Sequence, residues 1–403
     1  MALLSVADAL AQVLQDATPL LPENLPLADA HGRVLAADLT ATRTQPPAAL
    51  SAMDGYALRG ADVATAPVRL KLIGEVAAGH PFDRPVGAGE TARIFTGGVM
   101  PPGTDTVVIQ ENTAREDDIV VINQASASGR HVRKAGLDFT AGEVLLTRGR
   151  QLTARDLALA AAMNYPTLPV YRKPRVAMLA TGDELVPPGT TPGPGEIVYS
   201  NGYAIMAMAR GEGAEAIDLG IAPDRVLETV AAIRRARDSG ADILVTSGGA
   251  SVGEYDLVQR ALAAEGMALS FWRIAMRPGR PMMHGRLGAM HVLGLPGNPV
   301  SAYACAFLFL IPLIRRLAGR TDIDHQPERA ILGADLPAND ERADYLRGAL
   351  DPRPDGAPVA TAFPVQDSSM LTPLARAGCL ILRAPHAPAA RAGDACSVLK
   401  LGV

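Results

Sequence analysis

Residues 241–264 read ADILVTSGGASVGEYDLVQRALAA. Ile243, Leu244 and Val245 form a short apolar run of the kind that makes a buried strand. Ser247, Gly248 and Gly249 follow at its C-terminal end, and Glu254 and Asp256 stand just ahead of a helical pattern. In that pattern Leu257, Val258, Ala261 and Leu262 share one face. A glycine pair lets a ligand approach the backbone and permits positive φ. The free amides at the start of the following helix suit an anion. Two carboxylates beside an anion site suggest a divalent cation, because Mg2+ is held by one or two carboxylates plus substrate oxygens. The plainer alternative is a tight strand-to-helix turn whose acids favour the helix N-terminus.

Working outward, residues 175–319 alternate strands and helices. Val176–Ala180, Ala216–Ile221, Phe271–Met276 and Met290–Leu295 read as strands, while Asn201–Ala209, Asp224–Asp238 and a segment from Pro299 read as helices. Such alternation predicts a doubly wound, mostly parallel sheet. Ligands of such sheets bind outside the carboxyl ends of the strands. Three loops fall there: Thr181–Glu184, Ser247–Gly249 and Pro296–Pro299.

In Leu295-Pro-Gly-Asn-Pro-Val-Ser301, Asn298 suits an N-cap and Pro299 the first helical position. Either this is a well-capped helix start, or the amides beyond it hold an oxyanion with Ser301 as a further donor. Arg273, Arg277 and Arg280 form a basic cluster near the same sheet end. It reads either as a solvated basic edge or as a site for a multiply charged anion, which Arg matches bidentately.

Before the α/β segment, Ser5–Gln15 predicts an amphipathic helix capped by Ser5, and Leu27–Thr40 an α-rich continuation. A β-rich stretch follows, with strands expected at Leu70–Ile73, Thr91–Phe95, Thr106–Gln110 and Ile119–Ile122. Helix returns at Leu152–Met163, so the β lobe is read as an insertion. After Gly319, short apolar runs between Pro, Gly and Asp turns indicate a small C-terminal β domain. The resulting architecture is α/β and multidomain. It comprises an α-rich N-terminal domain over 1–170 with a β lobe inserted at about 48–143, the α/β domain over 171–322, and the β domain over 323–403.

The chain has 403 residues, which at ~100–200 per domain implies two to four domains. A net charge of −4 argues against a general nucleic-acid binder. Cys305, Cys379 and Cys396 show no metal-type spacing, and a reduced cytoplasmic setting is expected. MALLSVADALAQVLQDA lacks the basic start and long apolar core of a signal peptide. The most apolar run, Ala302–Ile314, is too short for a bilayer and is expected to be a buried helix.

Six motifs stand in one order: SAMDGYA, RIFTGG with PPGTDTVV, ATGDEL, TSGGASVGEYD, RPGRPMMHG and GLPGNPVSA. In that order they resemble the molybdopterin molybdenumtransferase family (MoeA and the E domain of gephyrin), over nearly the whole chain. The resemblance implies insertion of molybdate into adenylylated molybdopterin with Mg2+, releasing AMP and molybdenum cofactor. It implies a homodimer whose cleft lies between subunits, and an α/β domain like that of molybdopterin adenylyltransferases. The upstream adenylyltransferase and downstream molybdoenzyme chaperones are partners of the kind it implies, with no nucleic acid and no membrane. By its motifs the catalytic residues are Asp54, Thr96, Glu184 and Asp256, and Mg2+ falls to Asp54, Glu184 and Asp256. Ser247, Gly248, Gly249, Pro296, Gly297, Asn298, Pro299 and Ser301 would cradle the pterin and its phosphates. Arg277, Arg280, Arg347 in YLRG and Ser368 in QDSSM would meet the oxyanion.

The chain departs from the family pattern in two places. Arg stands at 273, 277 and 280 where lysine is usual, and Tyr199 and Gly202 replace a usual Asp and a larger residue. Two further enzyme readings stay open, an adenylyltransferase acting one step earlier and a tungsten-handling paralogue. So does a non-catalytic scaffold.

Overall fold

The computed structural model describes residues 3–248, 257–354 and 356–402. At its centre six strands lie in the order Glu215–Ala222, Arg175–Thr181, Ile243–Ser247, Met290–Leu295, Met283–Leu287, Ala268–Trp272. The first four are parallel and the last two add an antiparallel edge. Alternate residues of each strand enter opposite cores, as the two-residue period requires. Val176, Met178, Val245 and Leu293 pack with the Val6–Gln15 helix, the Asn201–Gly211 helix and the long helix that starts at Pro299. Ala177, Leu179, Leu244 and Val292 pack with Ile233 and Ala236 on one helix and Val258 and Leu262 on another. Helices on both faces of a mainly parallel sheet are the doubly wound arrangement read from the alternation.

Expected and observed elements differ where backbone geometry overrides pattern. The run read as one strand over Phe271–Met276 is two pieces, Ala268–Trp272 and Met276–Arg277. Between them Arg273 adopts φ +78°, a left-handed conformation that turns the chain. The Pro299–Leu317 helix is long and apolar enough by composition to cross a membrane, yet 83% of its most apolar window is buried in the protein. It is a core helix, with a π turn at Ala306–Leu310.

In the N-terminal part, Ser5 caps Val6–Gln15 by accepting from the Asp8 N–H at 3.1 Å. Ala154–Ala162 opens with a reciprocal Thr153–Asp156 capping box. The helical continuation expected over Leu27–Thr40 is instead a short 3-10 turn at Leu27–Asp29 and a strand at Leu39–Thr40. The prolines before it favour extended chain, and Pro22–Pro26 pairs with Thr167–Tyr171. The β lobe is a six-stranded sheet in which Gly55–Leu58 lies between Thr106–Ile109 and Glu90–Ile94.

The C-terminal strands close on themselves. Ala343–Asp351 pairs with Val359–Ala362 on one side and Cys379–Arg383 on the other, and Glu328–Leu332 and Ala395–Lys400 complete the ring. Closure removes exposed strand edges. Met276–Arg277 from the α/β segment adds a further parallel pairing, to Ala343 and Asp344.

Candidate functional site

The parallel strands end together. Ala180 pairs with Ser247, Ser247 with Leu295, and Thr181 with Ala222, so the loops that follow share one sheet end. Gly248 has φ +96°, and a Cβ there would lie 2.3 Å from the Thr181 carbonyl oxygen, so only glycine fits. A Cβ at Gly297 would lie 3.9 Å from the Gly248 Cα. Asn201, at the start of its helix, ties the loops together: its amide donates to Ser247 Oγ at 2.9 Å and to the Gly297 carbonyl at 2.8 Å. The Thr181 hydroxyl is buried beside them without a partner among the described residues. Gly249 and Asp256 lie outside the described residues.

Carboxylates gather on the first of these loops. Glu184 and Asp183 are exposed there. The Asp224 N–H donates to Asp183 Oδ1 at 3.1 Å, which brings a third acid to the group. Burial first, then the charges of Asp183 and Glu184, holds the Asp224 carboxyl above its ordinary range. Sequence reading placed Asp224 only as a helix start. Its signal was an acid following Pro223 at the carboxyl end of the neighbouring strand. Among the described residues no three His, Cys, Asp or Glu side chains form a ready-made metal cage. Oxygen donors that repel one another nevertheless fit Mg2+, which uses one or two carboxylates and takes the rest from waters and phosphate oxygens.

The third loop meets the C-terminal barrel. Pro296 is buried, Pro299 occupies the first turn of its helix, and Ser301 is buried. Asn298 stands at the N-cap position, but its side chain makes no capping bond. Its Nδ2 instead donates to Ser368 Oγ at 2.9 Å, and the Val300 N–H donates to the Ser368 carbonyl at 3.0 Å. Arg347 lies behind this contact, only 1% exposed. Its Nε donates to Gln366 Oε1 and its Nη1 to the Met370 carbonyl, both at 3.3 Å, so it braces the loop that carries Ser368.

The arginines of the basic cluster have separate fates. Arg277, expected to face an oxyanion, is held by Asp344: its Nε donates to Oδ1 at 2.8 Å and its Nη2 to Oδ2. Asp340 and Asn339 each accept a further bond from it at 3.3 Å. This guanidinium clamps the barrel to the α/β domain. Arg273 lies over the Trp272 ring, 4.3 Å from its centroid. Arg280 is exposed and makes no side-chain hydrogen bond or ion pair among the described residues.

Asp54 and Thr96 meet in the β lobe. The Thr96 N–H and hydroxyl both donate to Asp54 Oδ1 at 2.7 Å. These bonds, backbone first, hold the Asp54 carboxyl below its usual range, and Arg93 adds to the effect. Among the described residues no hydrogen bond or ion pair links this pair to the strand-end loops.

The odd pair Tyr199 and Gly202 also finds its reason. Tyr199 is 5% exposed, and a Cβ at Gly202 would lie 1.6 Å from its hydroxyl. The phenol occupies the space a side chain at 202 would need, so the tyrosine at 199 requires the glycine at 202. Its ring lines a cleft of about 480 Å3 with Asp183, Tyr203, Asp218 and Pro223, next to the acidic loop.

Comparison with known proteins agrees with this geometry along the whole chain. The family description "MoeA N-terminal region (domain I and II)" matches residues 4–164, "Probable molybdopterin binding domain" matches 177–316, and "MoeA C-terminal region (domain IV)" matches 329–401. A molybdopterin molybdenumtransferase of Nostoc sp. is 42% identical over 72% of this chain and 68% of its own. One from Haemophilus influenzae is 34% identical over 90% of both chains. The crystal structure of a molybdopterin biosynthesis MoeA protein from Pyrococcus horikosii superposes with TM-score 0.86 at 29% identity, covering 100% of each chain. Three family models in succession and relatives at 34–42% identity span this chain, and it belongs to the molybdopterin molybdenumtransferase family of molybdenum cofactor biosynthesis.

Proposed function

We propose that this transferase takes adenylylated molybdopterin and molybdate with Mg2+ and releases AMP. The observation that carries the reading is the joining of the Ser247 and Gly297 loops by Asn201, with the third strand-end loop beside them carrying Asp183 and Glu184, and Asp224 bonded to it. Backbone N–H groups of the glycine-bearing loops would donate to phosphate oxygens, and the adjacent acids would hold Mg2+. When bound, that ion neutralises charge on the phosphoanhydride. The loops Ser247–Gly249 and Pro296–Ser301 cradle the pterin and its phosphates. Asn201 fixes their separation, so the reacting groups meet a preformed surface rather than one that must reorganise. Glu184 and Asp256 are the metal-side acids in this reading, with Asp54 of the partner subunit completing them across a homodimer cleft. Thr96 keeps that aspartate ionised through its two bonds. Ser368 and Arg280 meet molybdate, Arg347 positions Ser368, and attack by a molybdate oxygen on the pterin-side phosphorus forms the new O–P bond while the anhydride P–O bond to the adenylyl group breaks, so that AMP leaves.

A single-turnover assay with adenylylated molybdopterin, Mg2+ and molybdate, following AMP, tests the reading. Molybdate-dependent AMP release that falls in Glu184→Gln and Asp224→Asn is expected. AMP release without molybdate, or unchanged rates in both variants, overturns it. A tungstate arm reports which oxyanion is used.

A further inference from the structure

A second polar cavity lies away from the strand-end cleft, between the N-terminal helix and the antiparallel edge of the central sheet. It measures about 230 Å3, and its walls include Gln12, Asp16, Ser270, His284, Arg286 and His291. His291 sits at the start of the Met290–Leu295 strand, while the strand-end cleft lies beyond Leu295 at its other end, ~13 Å along the chain.

The wall groups are poorly satisfied. His284 and His291 are each 2% exposed, and their only side-chain hydrogen-bond contact among the described residues is with each other, Nε2 to Nδ1 at 3.4 Å. His284 Nδ1 and Arg286 Nη1 are shut off from solvent and have no partner among the described residues. No described carboxylate lies within ion-pair distance of Arg286, and Asp16 acts on it only from further off. Burial depresses both the guanidinium and the two imidazoles. Water could satisfy the hydrogen bonds. It cannot supply the counter-charge that a half-buried guanidinium with an enclosed Nη1 and no ion-pair partner among the described residues calls for. The donors around the cavity are the guanidinium, the His284 ring, the Ser270 hydroxyl and the Gln12 and Gln15 amides, and the Asp16 carboxylate is an acceptor-only group in the same wall. A cation is disfavoured there by Arg286, and the volume is too small for a large organic ligand.

We propose that this cavity binds a small tetrahedral oxyanion, phosphate or molybdate, between Arg286 and His284. Occupancy lets His284 take up a proton: Nδ1–H then donates to the anion and Nε2–H to His291 Nδ1, along the contact already present. The charged or titratable groups facing His284 are Arg286 and His291 from the hairpin and Asp16 from the helix, and the Phe271 ring lies 5.7 Å away. The site is separate from the strand-end cleft and does not depend on the reaction proposed there.

The test is NMR on the full chain with isotopically labelled histidine, titrated with sodium phosphate and, separately, molybdate, against sodium chloride. Saturable movement of the two buried ring signals, stronger at pH 6 than at pH 7.5, is expected. Arg286→Gln should weaken it by about tenfold or more. Ser368→Ala, in the other site, should leave it in place. Should Arg286→Gln fail to fold, Ser270→Val narrows the cavity without removing charge and should weaken both anions. A response to one anion alone identifies the source. Ring signals that stay still, that move equally with chloride, or that respond undiminished in Arg286→Gln or Ser270→Val overturn the assignment.

Discussion

The Asn298 amide donates to the Ser368 hydroxyl at 2.9 Å, and this side-chain bond, beside the main-chain bond from Val300 to the Ser368 carbonyl, joins the loop that ends the central sheet to the C-terminal barrel. Removing either partner should loosen the loop by a similar amount, about 0.5–1.5 kcal/mol for a neutral hydrogen bond. Asn298→Ala and Ser368→Ala should each lower turnover. The double variant should lose less than the sum, because the second change has no bond left to break. Independent, additive losses in kcat/KM would show that the two residues act apart.

Tyr199 and Gly202 make a steric prediction of the opposite kind. Gly202→Ala places a methyl 1.6 Å from the Tyr199 hydroxyl and should destabilise the fold by about 1–3 kcal/mol. Combining it with Tyr199→Ser should recover part of that loss. Thermal denaturation of the three variants measures it, and a double variant as unstable as the sum of the singles would dismiss the pairing.

Asp224 is held above its ordinary range by burial and by Asp183 and Glu184. A carboxyl raised in the folded state binds its proton more tightly there than in the unfolded chain, so stability falls as pH rises through the window between the two pKa values. Asp224→Asn should therefore raise the melting temperature at neutral pH while lowering turnover. The stabilisation should vanish below the unfolded carboxyl pKa of ~3.9, where wild type is neutral too. Mg2+ should raise the melting temperature of wild type more than that of the variant. A variant that melts lower at pH 7 would contradict the repulsion.

The buried histidines give the reverse sign. Burial, with Arg286 adding, pushes His284 down to about 4, and His291 down to about 3. Both are neutral in the fold at pH 7, while in the unfolded chain they take up protons near pH 6.5. The stability they support is full above that value and is lost as pH falls from about 6.5 toward about 4 and 3, at up to ~1.4 kcal/mol per pH unit for each. His291→Phe should flatten the acid limb of a denaturation-versus-pH curve. An unchanged limb would place the acid sensitivity elsewhere.

Much of this molecule is legible in its sequence where local pattern and burial agree. The continuous apolar runs Val176–Ala180 and Ile243–Val245 are strands buried on both faces, within Arg175–Thr181 and Ile243–Ser247, and the capped helices at Val6 and Ala154 also fall where they are expected. The loops at Thr181, Ser247 and Pro296 converge as the doubly wound rule demands. What escaped depends on contacts between distant segments. The nine-residue strand Ala343–Asp351 carries Asp344 and Arg347 inside it and so lacks an apolar signature, although pairing on both sides buries it. Arg277 reads as a free cation until Asp344 is brought beside it from 67 residues away. Asp224 reads as a helix start because its acidic neighbours lie on another loop. Tyr199 looked anomalous until the missing side chain at 202 explained it.

Main-chain pairing of Met276–Arg277 with Ala343 and Asp344, reinforced by the Arg277 clamp, makes the barrel a graft rather than an appendage. Cutting the chain at the turn near residue 322 would leave a raw strand edge and an orphaned guanidinium on the α/β side, and an unmatched Asp344 on the other. The two halves are therefore poor candidates for dissection into stand-alone fragments. Exchange of the C-terminal module between relatives should succeed only when residues 276–277 travel with it.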